Sequence, residues 1–284
     1  MWRSLLRRTG FAPNGTPSAG AGPEGRTPAV RAAALERALQ DSLAAHGPDD
    51  PRSIAAGNNL ASKYAQMGRR EAAVSRFEAT LEAAVAVFGA DHPQTDVIRE
   101  NLAWSYEDIG RPADAADMWE ALLQNRDTRL GATAPDTVAA RSRLAVCYRR
   151  TGRHDAAIAH FERAVEDAGS VEESEDLRIG LSLAYSGVGR YDDATQQLRM
   201  VLAQRNRRLG SRHLDTLLVH HRLGRAYTQA GRPEEAVETL RAAYRSGLAA
   251  AGDPEIRMLT LKMRRDLAGA LSAVGRHRDA AALF

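Results

Sequence analysis

The stretch LAWSYEDIGRPADAADMW, residues 102–119, decides the fold. Before its glycine, Gly110, a leucine and a tyrosine stand four residues apart, and after it an alanine and a tryptophan do the same. Apolar residues at that spacing form a stripe along one face of a helix. A glycine supplies the positive φ that ends a helix, and Pro112 suits the first turn of the next one. The stretch therefore predicts two helices joined by a tight turn.

The same pattern recurs on six Gly-Arg pairs, so the chain is built from repeats. The glycines of these pairs, here called the turn glycines, are Gly68, Gly110, Gly152, Gly189, Gly231 and Gly275. Their spacings are 42, 42, 37, 42 and 44 residues. Apolar residues stand eight and four before each glycine, a small residue stands seven before it, and an alanine stands five after it. We therefore predict six helical hairpins, of which the last is incomplete.

The order Leu-Ala-x-x-Tyr, then Gly, Ala and an aromatic residue, resembles the tetratricopeptide repeat over residues 53–284. The units are longer than the usual ~34 residues, and the connectors at Gly89, Gly131 and Gly210 resemble those of the kinesin-light-chain-like subclass. The connection over residues 167–175 departs from that form, because it is shorter and acidic. The resemblance implies an all-α fold, a right-handed α-solenoid whose first helices line a concave groove. It also implies a non-enzymatic scaffold whose groove holds peptide or helical segments of a partner protein.

Two segments precede the repeats. Residues 1–27 are rich in arginine, glycine, proline and alanine and predict a disordered tail, with a basic membrane-surface anchor as the alternative. Residues 28–52 predict an N-terminal capping helix and its connector. The tail holds four arginines and one glutamate, which leaves 35 basic and 35 acidic residues in the rest of the chain. The net charge of +3 therefore belongs to the tail.

Composition and charge exclude several classes of protein. A neutral body with both signs interspersed lacks the basic face that nucleic-acid binding requires, so we expect no nucleic-acid partner. No apolar run approaches the ~18 residues of a membrane span, so we expect no membrane partner. The single cysteine, Cys147, fits a reducing compartment, and we expect a cytoplasmic protein.

The groove should be lined by the first-helix residues ten, six and three before each turn glycine, because these lie roughly opposite the core stripe. We predict a peptide-binding site formed by Asn58, Glu100, Trp104, Glu107, Val146, Arg149, Ile179, Leu183, His221, Arg225 and Arg265. Trp104, Val146 and Leu183 form an apolar strip that spans ~20 Å, about six residues of extended peptide. The arginines favour a partner segment with an apolar centre and an acidic portion. The alternative is that these side chains pack on neighbouring helices or are covered by a chain terminus.

Sequence motifs give no support for a catalytic, cofactor or metal site. The chain has no HExxH motif, no second cysteine and no glycine-rich nucleotide loop. His92 and His213 occupy equivalent connector positions, which favours a structural role, and Cys147 is interpreted as a small packing residue. The acidic run at residues 172–176 is typical of a helix N-terminus. We therefore expect no enzyme activity, no metal and no cofactor.

Two further hypotheses follow from the irregular places in the repeat. The last hairpin stops at Phe284, a core position with no capping helix behind it. A solenoid end normally needs such a helix for solubility, so we expect either that this end docks onto a partner or onto a second copy in a homodimer, or that the chain is truncated. The connection over residues 167–175 is a candidate flexible point. It supports a second functional hypothesis, a regulatory sensor whose superhelix changes conformation when a peptide binds.

Overall fold

The computed structural model describes residues 28–284, and the tail predicted over residues 1–27 lies outside them. The described residues form helices throughout, with no strand among them. In chain order these helices are α1 (Pro28–His46), α2 (Pro51–Gln66), α3 (Arg70–Phe88), α4 (Pro93–Asp108), α5 (Pro112–Leu130), α6 (Pro135–Arg150), α7 (His154–Glu166), α8 (Val171–Gly187), α9 (Tyr191–Leu209), α10 (Leu214–Gln229), α11 (Pro233–Leu248), α12 (Pro254–Ala273) and α13 (His277–Ala281). Each helix packs against the next, so the predicted all-α solenoid of hairpins is confirmed.

The turn glycines end the first helix of each hairpin as predicted. Gly110 has φ +76°, and the backbone N–H of Arg111 donates to the carbonyl of Tyr106 at 2.9 Å. This bond satisfies a carbonyl that would otherwise lack a partner at the helix end. All six turn glycines have φ between +69° and +79°, a conformation that residues with a Cβ rarely adopt. The repeated glycine is therefore a backbone requirement of the turn.

The core is the stripe predicted from the repeat. The position nine after the turn glycine holds Trp119, Phe161 and Leu240 in three of the units, and all three are buried. The residue seven before the turn glycine is small because the second helix, which faces it, comes close. A Cβ placed on Gly224 would lie 2.5 Å from Cγ of Leu240. A larger residue there has no room, which explains why this position holds only Gly, Ala or Ser.

The first helices lie on the inner side of the stack. Contacts join α2 to α4, α6 to α8 and α10 to α12, whereas no second helix contacts another to the same extent within residues 28–284. Helices on the inside of a curved stack approach one another more closely than those on the outside. The concave face therefore belongs to the first helices.

The connection after α7 is held by polar contacts. Asp167 accepts from the guanidinium of Arg141 at 2.9 Å, and the Ser170 hydroxyl accepts from the backbone N–H of Glu173 at 3.1 Å. The acidic run lies in the first turns of α8, as predicted. Its Glu175 is fully buried and accepts from Arg205. These contacts fix the segment that the sequence singled out as a flexible point.

Candidate functional site

Three of the six residues that stand ten before the turn glycines do not line an open groove. Asn58, Ile179 and His221 are all buried, so the expectation that this position points away from the core is wrong for them. They are buried because the next repeat packs against them. Asn58 accepts from the side-chain amide of Asn101 at 3.1 Å, and His221 Nε2 lies 2.8 Å from a carboxylate oxygen of Asp266. Each contact ties a first helix to the next first helix.

The apolar strip six before the turn glycines is only partly free. Trp104 is half-buried, meets Trp119 edge to face at 5.7 Å between ring centroids, and lies under the Arg143 guanidinium at 3.8 Å. Val146 is half-buried and packs against the core. Leu183 is 41% exposed. The internal-packing alternative therefore accounts for much of Trp104 and Val146, and Leu183 is the apolar side chain that remains open to a ligand.

Both glutamates of the predicted site have partners inside the molecule. Glu107 accepts from Nε1 of Trp119 at 2.9 Å and pairs with Arg143 at 3.7 Å. Burial raises the pKa of the Glu107 carboxyl, and Arg143 opposes that effect. Glu100 pairs with Arg126 of α5. These contacts hold α4 to its neighbours and leave neither carboxylate free for a ligand.

Cations gather on the concave side of the later repeats. Arg149 is half-buried, and its Nε has no hydrogen-bond partner among the described residues. Burial lowers the pKa of Arg149, and Arg150 lowers it further. Arg225 and Arg265 lie 3.9 Å and 3.8 Å from the carboxylate of Asp266, which also serves His221. A single carboxylate thus faces three basic side chains.

Arg222 belongs to the site, although it was not among the residues predicted from the positions ten, six and three before the turn glycines. Arg222 stands nine before its turn glycine, next to the predicted His221. Burial lowers the pKa of Arg222, followed by the effect of Arg205. It lines an open groove of ≈ 970 Å³ at the N-terminal ends of α8, α10 and α12. Leu218 and Met258 contribute apolar surface to the same groove, and Met258 is 60% exposed. The nine-before position lies three residues before the six-before position and on the same side of the helix, so it would have been found by widening the predicted face.

The remaining candidate residues have structural roles. The Nδ1 atoms of His92 and His213 accept from backbone N–H groups at the starts of α4 and α10, at 3.1 Å and 3.2 Å. The structural role predicted for both is confirmed. Cys147 is buried, and burial raises the pKa of its thiol to about 12, which removes its nucleophilic form at neutral pH. Among the described residues, no three His, Cys, Asp or Glu side chains converge as metal ligands would.

Comparison with protein families agrees with the repeat. A tetratricopeptide repeat model matches residues 52–128 and 174–246, and a second one matches residues 100–172. The chain belongs to the tetratricopeptide repeat family. Proteins of this family mediate protein–protein interactions, and the chain is in that general sense a protein-binding scaffold. No curated protein was found that matches it in sequence.

Several solved structures share the tetratricopeptide repeat fold. A Podosopora anserina protein, described as a kinesin light chain with nearly identical TPR-like repeats, matches with TM-score 0.61 and 24% identity over 68% of this chain and 94% of its own. BtubC (BKLC) from P. vanneervenii matches with TM-score 0.59 and 20% identity over 81% and 94%. A tetratricopeptide repeat protein from Parabacteroides merdae matches with TM-score 0.54 and 17% identity over 90% and 91%. The first two carry kinesin-light-chain names, as the connectors predict.

Within residues 28–284, no helix combines the length and apolarity that crossing a membrane requires.

Proposed function

We propose that the chain is a non-enzymatic scaffold that binds a peptide or helical segment of a partner protein on the concave face of its first helices. The observation that carries the proposal is the exposure of Leu183 on α8, between Arg149 on α6 and Arg222 and Arg225 on α10. An exposed apolar side chain whose neighbouring helices carry arginines is typical of the centre of an interface. The partner segment has an apolar residue that covers Leu183 and acidic residues that meet the arginines. A cytoplasmic location fits this proposal and stays a prediction.

A fluorescence titration tests the groove with a synthetic ten-residue peptide that carries a central leucine and flanking glutamates. The Leu183→Ala variant is expected to bind about tenfold more weakly, because it removes apolar area from the contact. Leu248→Ala is the matched control, since Leu248 is also exposed but lies on the second helix α11. A version of the peptide with lysines in place of the glutamates should bind more weakly to the unaltered chain. Equal affinities for both variants would contradict the groove assignment.

Self-association through the last hairpin is a second proposal with its own observation. Phe284 stands at the position that holds Trp119 and Phe161 in earlier units, where exposure is 1% and 2%, yet Phe284 is 75% exposed. On the neighbouring α12, the Arg264 guanidinium lies 4.8 Å from the centre of the Phe284 ring, and Leu261, three residues before Arg264, is exposed. Exposed apolar side chains that adjoin one another mark an interaction surface.

Sedimentation velocity over a range of concentrations tests self-association. We expect a dimer whose population falls when Phe284 and Leu261 are both replaced by serine, because the apolar contact area is lost. The same substitution at Leu248 should leave the dimer unchanged. A chain that sediments as a monomer at all concentrations would contradict this proposal.

The regulatory-sensor hypothesis stays open as an alternative function. The connection over residues 167–175 gives it little support, because Arg141, Ser170 and Arg205 hold that segment in place. The contact between α9 and α10, rather than this connection, has the features of a flexible point.

A further inference from the structure

A three-residue contact links most first helices to the hairpin before them. In α4, the Tyr106 hydroxyl donates to a carboxylate oxygen of Glu78 on α3 at 2.7 Å. The Arg111 guanidinium lies over the tyrosine ring at 4.6 Å and 4.0 Å from the same carboxylate. We call this tyrosine, glutamate and arginine contact the clasp. It joins two consecutive repeats through one hydrogen bond, one cation–π contact and one ion pair.

The full clasp recurs at α2, α4 and α6, and α8 keeps its hydrogen bond and cation–π contact, with no ion pair between Arg190 and Glu162 among the described residues. The tyrosine and glutamate pairs are Tyr64 with Glu36, Tyr106 with Glu78, Tyr148 with Glu120, and Tyr185 with Glu162. Burial, together with the adjacent carboxylate, raises the pKa of Tyr148 and of Tyr185 to about 12. These hydroxyls therefore remain hydrogen-bond donors at neutral pH.

The clasp is missing where α10 meets α9. In the contacts of α4, α6 and α8 the glutamate stands ten residues after a turn glycine, and at that position α9 carries Arg199. Tyr227 keeps Arg232 over its ring at 5.1 Å, but among residues 28–284 its hydroxyl has no hydrogen-bond partner. Arg199 is exposed and forms no ion pair with any described residue. Two arginines thus stand where the earlier repeats place an arginine and a glutamate.

The next junction lacks the clasp as well. There α12 carries Leu271 in place of the tyrosine, and α11 carries Arg241 in place of the glutamate. The exposed pair between Arg232 and Asp192, at 3.2 Å, also joins α9 to the last repeats. Solvent-exposed ion pairs, those of the clasp included, contribute little stability, so the junctions differ mainly in the tyrosine hydrogen bond.

The apolar core divides within the fourth repeat, one helix before the missing clasp. One cluster of buried side chains runs from Ile54 to Ala194, and a second one, which includes Ile179 of α8 and Leu198 of α9, continues to Ala280. The open groove of ≈ 970 Å³ is lined by residues of α8, α9, α10 and α12, close to this division. The buried side chains of the first three repeats and those of the last repeats thus belong to different clusters.

We infer that the repeats from α10 onward form a unit that opens separately from the first four repeats, about the α9–α10 contact where Arg199 replaces the glutamate of the clasp. In a solenoid each repeat contacts only its neighbours, so a weak junction divides the stack into two cooperative parts. Arg149 and Leu183 lie on the first part, and Arg225 and Arg265 lie on the second. Opening therefore changes the width of the concave face at its basic end. The inference concerns the free chain and does not depend on peptide binding.

Hydrogen exchange of the whole chain, read by mass spectrometry, tests the inference. We expect the amides of α10 to α12 to exchange together, about tenfold faster than those of α2 to α8, with the step at the α9–α10 contact. The Arg199→Glu variant supplies the missing carboxylate to Tyr227 and Arg232. It should slow exchange in α10 to α12 about fivefold, which is the effect of one added hydrogen bond of typical net strength. Arg207→Glu makes the same charge change about two turns further along α9 and should leave these rates unchanged.

Three outcomes would overturn the inference. The first is uniform protection from α2 to α12. The second is a gradual loss of protection toward the C-terminal end without a step at α9, which is ordinary fraying. The third is an Arg199→Glu variant whose exchange matches that of Arg207→Glu. None of these outcomes bears on the peptide titration, so the two proposals fail independently.

Discussion

Replacing Trp119 with alanine is expected to lower the free energy of unfolding by about 3–5 kcal/mol, the usual cost of removing a large aromatic side chain from a core. Trp119 is 1% exposed and stands at the crossing of two helices. It also donates to Glu107 and supports the ring of Trp104. The substitution therefore leaves a cavity and removes the hydrogen bond of a buried carboxylate.

Urea denaturation followed by far-UV circular dichroism measures this loss. Leu248→Ala serves as the control, because an exposed leucine should change stability by less than about 0.5 kcal/mol. A Trp119→Ala variant as stable as this control would mean that the hairpin crossing is not packed as described. Comparison with Trp104→Ala also separates the roles of the two tryptophans, since a half-buried side chain leaves a smaller cavity.

Replacing Arg205 with methionine is expected to cost about 3 kcal/mol, because it takes the main partner from a buried carboxylate. Glu175 is 0% exposed, and Arg205 Nε lies 3.0 Å from its Oε2 atom. Arg208 stays within 2.6 Å of the same atom, so the loss should fall at the lower end of the range for buried pairs. The Glu175 Oε1 atom has no hydrogen-bond partner among the described residues even with Arg205 present.

The double variant Glu175→Leu with Arg205→Met distinguishes a buried ion pair from simple packing. Removing both partners leaves no uncompensated charge, so the double variant should be more stable than Arg205→Met alone. The same urea titration gives both values. Losses that add, with the double variant the least stable, would show that the charge of Glu175 is not what makes Arg205 necessary.

The hairpins were predictable from the sequence because their signals are local. A turn glycine, a small residue at the crossing and apolar residues four apart act within one hairpin, and Gly110 and Trp119 illustrate both kinds of signal. The structural roles of His92 and His213 were predictable for the same reason, since a cap acts within two residues of itself.

The groove was harder to predict because it depends on contacts between repeats. A helical wheel describes one helix and its own core, so it places Asn58 and His221 opposite the core stripe. The neighbouring first helix brings Asn101 and Asp266 against these residues and buries them. The arginine of each Gly-Arg pair gave no local signal of its role either, because its tyrosine and glutamate lie on two different hairpins.

Helix α7 shows that the stack accepts a shortened second helix. It has 13 residues, whereas α3, α5 and α9 have 19, yet Tyr185 reaches Glu162 across 23 positions just as Tyr148 reaches Glu120 across 28. The second helix is thus shortened at its C-terminal end, beyond the residues that contact the next repeat. An epitope or fluorophore inserted at Ala168 or Gly169 would enter a place where this architecture already accepts a change of length.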